Sequence, residues 1–393
     1  MTLAAAWPDA SAARQPLQLP IWPLGLFTLW ECYIAGIRPL DHLVTVAFIV
    51  VLALRSQREI NVERAFKMLM LVAAVWLATF RANFIFTDAW RSGSGVVEGS
   101  ILALAIVSAS WRSADIQRFL AALIVVHAVA LIIQFSVYHL AGYSINYWSW
   151  MGRSLRVETA FGMRPAGFFL EPGAFTLTMF SLLSLYRLTG GINAKIELLG
   201  LGTMLLSISL WGWGATLVYM LFFRWRWACT TLPVALGGIV YLALTTARQN
   251  IADNMIMWII IKRIIYPGND NSTDARYNAL LSISDAWQWK LWFGEGINNN
   301  YAVYGTNGLS FLLTAGGLVG VILVGILWFT ILPYGRKIRG MLSLGFMLSA
   351  GTQWTFAWWW VWLAVAASAG LDDAKLAPRR AWLPSRKTAE INP

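Results

Sequence analysis

Apolar runs crowd this chain so closely that little is left from which to build a water-facing surface. A window of about 19 residues separates them at 22–37, 40–54, 68–86, 96–111, 118–140, 166–187, 195–209, 211–223, 228–246 and 307–333, with a last block at 341–369. Several fall short of the roughly 20 residues that a perpendicular membrane helix needs. Composition agrees with the pattern: 58% of the residues are hydrophobic, 12% are charged, 23 are tryptophan and the mean hydropathy is +0.59. An ordinary soluble globule is excluded. The expected fold is an all-α integral membrane protein, a single polytopic domain over 1–393.

The net charge of +11 raises nucleic acid as a partner. Lys and Arg fall instead in short clusters between apolar runs, with no basic face and no reading motif. Their expected task is topology. Arg55, Arg58, Arg64 and Lys67 follow the second run, Arg112 and Arg118 bracket a turn, Arg187 and Lys195 flank another, and Arg224 with Arg226, then Arg336, Lys337 and Arg339, come later. The positive-inside rule puts these in the cytoplasm. The tail carries Lys375, Arg379, Arg380, Arg386 and Lys387, so both termini are expected inside. The block 341–369 then has to be a hairpin turning near Gly351-Thr352-Gln353, which brings the expected number of spans to about 12. The first twenty residues lack the basic start, apolar centre and cleavage site of a signal peptide. Cys32 and Cys229 lie far apart in apolar segments and read as packing residues.

Two longer loops, 141–165 and 247–306, fall outside on this scheme, yet they carry Arg153, Arg156 and Arg164, and Arg263 and Arg276. Arginine at an outer face suits a phosphate, because its planar guanidinium donates paired hydrogen bonds and keeps its charge. The alternatives are lipid head groups, or Glu158, Asp270 and Asp274. Tyr147, Trp148 and Trp150 either stack on sugar rings or form an interfacial belt. The five tryptophans of 352–362 are expected to face lipid or neighbouring helices. In the second loop, 251–265 reads as an amphipathic surface helix. A further helix over 275–291, capped by Ser272, Thr273 or Asp274, places Arg276 in its first turn, where the helix dipole disfavours a cation.

Three segments resemble the O-antigen polymerase and ligase superfamily of bacterial membrane glycosyltransferases. The first is Arg164-x-x-Gly167-x-x-x-Glu171-Pro172. The second is 272–298, an arginine-bearing helix ending in Gly294-Glu295-Gly296. The third is 306–320, similar to a histidine-asparagine pattern that opens the next span and closes on G-x-x-G. Here Thr306 stands where ligases of that superfamily have histidine, followed by Asn307. A threonine is no general base near neutral pH, so the departure favours a polymerase. His42 and His127 are expected on the wrong side or too deep, leaving His139 as the spare candidate.

The resemblance implies a glycosyltransferase-C-like membrane fold and a reaction at the periplasmic face of the inner membrane. Undecaprenyl-diphosphate-linked repeat units serve as donor and acceptor and are joined into a surface polysaccharide or exopolysaccharide. Chain-length regulators and export proteins are further partners that it implies. Arg164 and Arg276, with Arg153 and Arg156, would hold the diphosphate electrostatically, and no Asp-x-Asp or histidine cluster with metal spacing lies at the outer face; no cofactor is expected. Glu171 or Asp274 would handle the acceptor proton, unless Glu171 only pairs with Arg164 and Asp274 only caps its helix. Pro172 is expected to open the helix around Glu171. Gly167, Gly294 and Gly296 would serve turns or close packing, and Asn307 would orient a neighbour. A ligase and a lipid-linked oligosaccharide flippase are the competing readings.

Overall fold

The computed structural model describes residues 21–29, 42–47, 50, 62–79, 89–108, 111, 113–151, 158–159, 162–246, 289–294, 308–332, 336–349 and 357–368. These residues are overwhelmingly helical. After a 3-10 helix at Trp22–Leu29 come α1 (Val62–Thr79), α2 (Ala89–Ser108), α3 (Ser113–Ala141), α4 (Pro172–Leu188), α5 (Ala194–Leu206) and α6 (Leu210–Phe223). They are followed by α7 (Trp225–Thr246), α8 (Trp289–Phe293), α9 (Gly308–Ile331), α10 (Lys337–Leu348) and α11 (Ala357–Ser368). The extended structure described is one antiparallel pair, β1 (Glu158–Thr159) with β2 (Gly162–Met163).

Among the described residues one helix, α3, with 29 residues, is long and apolar enough to cross a membrane. Val97–Ser108, Leu210–Phe223, Gly316–Ile331 and Trp358–Ser368 are shorter apolar helices. The expected run at 22–37 begins as a 3-10 helix ending at Leu29. The runs at 195–209 and 211–223 become α5 and α6, of 13 and 14 residues. Each spans only about 20 Å. The turn between them holds Ile208 at φ 49°, a strained conformation for a β-branched side chain. Ser207 Oγ donates to the Met204 carbonyl at 2.7 Å there.

The four described tryptophans of the 352–362 block take the second of their two expected places, against neighbouring helices, and Trp354 lies outside the described residues. Trp358, Trp359, Trp360 and Trp362 are all buried, and α11 packs most heavily on α2. Trp360 lies so close to Gly99 that a Cβ on that glycine would stand 2.3 Å from its ring. Trp362 Nε1 donates to the Ser181 carbonyl on α4 at 3.1 Å. A helix apolar all round belongs at the centre of a bundle, and α11 takes that place. Cys229, read as a packing residue, is exposed on α7, while Cys32 lies outside the described residues.

Charge ties helix ends together at one end of the bundle. Glu197 in the first turn of α5 is fully buried, and Arg224, the C-cap of α6, grips it through Nε at 2.7 Å and Nη2 at 3.0 Å. Arg187 in the last turn of α4 approaches the same carboxylate at 3.4 Å and donates to the Gly191 carbonyl at 2.9 Å. The bond to Glu197 raises the Arg224 guanidinium above its ordinary pKa. Gln117 near the start of α3 donates to the Thr189 carbonyl at 2.6 Å. Two arginines assigned to topology by the sequence thus also bind three helices to one carboxylate.

Candidate functional site

At the other end of α4, the segment 164–171 is a non-helical turn, where the sequence placed the start of a span at 166. Gly167 explains the break: its φ is +59°, and a Cβ there would stand 3.3 Å from Leu131 N and 3.5 Å from the His127 carbonyl oxygen on α3. Only glycine combines that conformation with so close an approach to a helix backbone. The turn is held from below by Gln134, a fully buried amide inside the apolar α3. Its Oε1 accepts the N–H of Ala166 at 2.7 Å and of Gly167 at 2.9 Å, and its Nε2 donates to the Ile145 carbonyl at 2.8 Å. One side chain therefore satisfies three backbone groups that burial would otherwise leave costly.

The aromatics of the preceding loop strap the same turn. Tyr147 donates its hydroxyl to the Ala130 carbonyl at 2.9 Å, and burial raises its pKa above the ordinary phenol value, so it remains a donor. Trp148 Nε1 donates to the Phe168 carbonyl. Trp150, by contrast, is 66% exposed. Of the three aromatics offered for sugar stacking or an interfacial belt, two have loop-fastening bonds and one faces out.

Pro172 is the first residue of α4 and Glu171 its N-cap, with extended backbone at φ −130° and ψ 140°. This corrects the expectation that Pro172 opens a helix around Glu171. Proline at the first helical position lacks an N–H that would be unsatisfied there anyway, so it starts the helix. The Glu171 carbonyl accepts the N–H of Ala174 at 3.1 Å and of Phe175 at 3.3 Å. Its carboxylate makes no capping bond to the helix, and the residue is half-buried. Arg164 is half-buried at the other end of the turn. The two residues are joined by this turn. The turn ends at the N-terminus of α4, where the helix dipole puts partial positive charge.

His127 lies directly under this turn. Its ring stacks on Phe169 with centroids 5.5 Å apart and meets Phe168 edge-on at 5.7 Å. Thr28 Oγ1 donates to the Gly25 carbonyl at 2.7 Å, which leaves His127 Nε2 as the donor in the 2.8 Å bond to Thr28. His42 pairs with Glu98. His139 is exposed at the end of α3, its ring centroid 4.3 Å from that of Phe135.

Gly294 follows α8 at φ +68°. The second and third segments meet at this point, because α8 packs on α9 where Gly317, at φ 65° and ψ −175°, kinks that helix. A Cβ on Gly317 would stand 2.3 Å from the Trp292 carbonyl oxygen. Arg153, Arg156, Asp274, Arg276, Gly296, Thr306 and Asn307 lie outside the described residues, as do the surface helix read at 251–265 and the tail. Sequence reasoning passed over Gln134 and Glu197. The available signal was the same for both: a polar residue within a strongly apolar run is costly unless it is bonded. No protein-family model matches the chain, and no curated protein matches it.

Proposed function

We propose that this chain is a membrane glycosyltransferase, similar to the O-antigen polymerases, that joins undecaprenyl-diphosphate-linked repeat units into a polysaccharide at the periplasmic face of the inner membrane. In this reading the chain crosses the membrane about 12 times with both termini in the cytoplasm. The observation that carries it is the 164–171 turn, where an arginine and a carboxylate flank a glycine turn braced by a buried glutamine at the start of a helix. Arg164 holds the diphosphate of the donor, and Arg276, Arg153 and Arg156 join it from the outer loops. Glu171 takes the proton from the acceptor hydroxyl, with Asp274 as the second carboxylate of the site. The hydroxyl oxygen bonds to the anomeric carbon, the bond from that carbon to the diphosphate breaks, and undecaprenyl diphosphate leaves with the electron pair. Guanidinium groups neutralise the charge that develops on it.

The test is the glycan of a deletion strain complemented with Arg164→Lys, because a point charge cannot reproduce the paired bonds of a guanidinium. We expect carriers that hold one repeat unit, with the protein still present in the membrane. Long polymer that is never transferred would identify a ligase, and repeat units trapped on the inner leaflet would identify a flippase. Polymer of normal length would remove Arg164 from the site.

A further inference from the structure

Helices α9 and α10 touch near their connection and part further along. A Cβ on Gly340 would stand 2.9 Å from Leu332 Cδ1. On Gly325 and Gly345, by contrast, a Cβ would meet nothing within 4 Å, and both glycines line a cavity of about 130 Å³. Its lining is apolar and includes Val324 and Trp328 of α9, Met341, Leu344 and Leu348 of α10, and Trp359 of α11. From Met341 to Leu348 it runs roughly 10 Å along α10. A closed apolar void of about 150 Å³ stays dry and takes benzene. This one opens on its glycine side, where Gly345 is exposed and Ile322, Ile326 and Leu342 present apolar surface.

A slot open to hydrocarbon does not stay empty, because its walls regain dispersion contacts when a chain enters. That attraction is common to all lipid tails, so selection has to come from the end of the slot. Met341, Leu344, Gly345 and Leu348 continue the helix face that Lys337 begins, and Phe329 stands one turn beyond Gly325 on α9. The Lys337 ammonium lies 4.8 Å from the centroid of the Phe329 ring, which sets a cation across the gap at the end of the slot. The ring face engages one side of that ammonium, which carries three N–H donors. Between Glu295 and Asp372 the sequence holds no acidic residue. The positive-inside rule puts this end of α10 at the cytoplasmic leaflet, whose anionic lipids attract lysine.

We infer that the slot between α9 and α10 binds one acyl chain of an anionic glycerophospholipid, whose head group lies against Lys337. The site rests on the chain's place in the membrane and not on the polymerase chemistry.

The test is photolabelling of the full chain in nanodiscs, with phosphatidylglycerol or phosphatidylcholine carrying a diazirine on one acyl chain and the labelled residues mapped by mass spectrometry. We expect labelling of 321–328 and 341–348 by phosphatidylglycerol to saturate as its share of the bilayer rises. Labelling of Val126, Val129 and Ile133, exposed on α3, should instead rise in proportion. Gly345→Leu fills the slot and should abolish the saturable labelling. Lys337→Gln should weaken it about fivefold for phosphatidylglycerol, the effect of one basic residue on an anionic lipid, and leave phosphatidylcholine unaffected. Slot labelling that never saturates, that survives Gly345→Leu, or that is equal for the two head groups overturns the site. An unlabelled slot beside a labelled α3 overturns the site alone, whereas an unlabelled α3 overturns the membrane reading with it. Should Gly345→Leu fail to accumulate folded, Gly325→Leu takes its place, and if neither accumulates, Lys337→Gln decides by the same comparison of head groups.

Discussion

The two ends of α4 carry the same residue types and use them in opposite ways. At its last turn and beyond, Arg187 and Arg224 enclose Glu197, whose side chain is 0% exposed. At its first turn Glu171 caps nothing with its carboxylate and remains half-buried, as does Arg164, and the turn between them is fastened by Gln134 through backbone bonds. One end uses its charges to join helices. The other uses an uncharged amide to hold the backbone. A buried carboxylate gripped by two guanidinium groups is costly to disturb.

The strongest challenge to this contrast is Glu197→Gln. Removing one member of a buried ion cluster leaves the arginines uncompensated, at a cost of about 3–5 kcal/mol. We expect little folded protein and a sharply lowered melting temperature in detergent. Glu171→Gln should cost less than about 1 kcal/mol; equal losses would show that both ends are structural. Next comes Gln134→Leu, which strands the N–H groups of Ala166 and Gly167 and the carbonyl of Ile145 at roughly 1–3 kcal/mol for each group left unsatisfied. Its melting temperature should fall together with polymer output, and a variant of unchanged stability would deny Gln134 its bracing role.

A smaller change, Gly167→Ala, forces a Cβ into the left-handed region at about 1–2 kcal/mol and against α3. Hydrogen exchange should quicken in 164–171 and stay unchanged around Glu197. The smallest stability effect belongs to Arg164→Lys, within about 0.5 kcal/mol, even though polymer output should fall steeply. A melting temperature lowered as far as in Gln134→Leu would make Arg164 part of the scaffold and end the contrast.

Helix positions were legible in the sequence because hydrophobic continuity and capping are local. The break between α5 and α6 falls at 207–209, next to the Ser209 N-cap, and α9 covers nearly the whole of the run read at 307–333. The start of α4 was not placed correctly: an apolar tally counts 166–171 as span, whereas Gly167 and Pro172 make it a turn. The motif Arg164-x-x-Gly167-x-x-x-Glu171-Pro172 singled out the right segment, but not its brace, since Gln134 lies 30 residues before Arg164 on another helix.

What the sequence by itself determined is the helical, apolar character of the chain and the approximate positions of several helices, because those depend on neighbours a few residues apart. Only the tertiary structure decided which apolar faces turn inward and which charges meet. In a chain apolar on nearly every face, the polar–apolar alternation that marks the inside of a soluble protein is missing, so nothing local sends Trp358, Trp359, Trp360 and Trp362 to the centre. The room beside Gly99 does. The partners of Glu197 likewise lie 10 residues before it and 27 after it, and only the return of α6 alongside α4 and α5 makes one buried site of them.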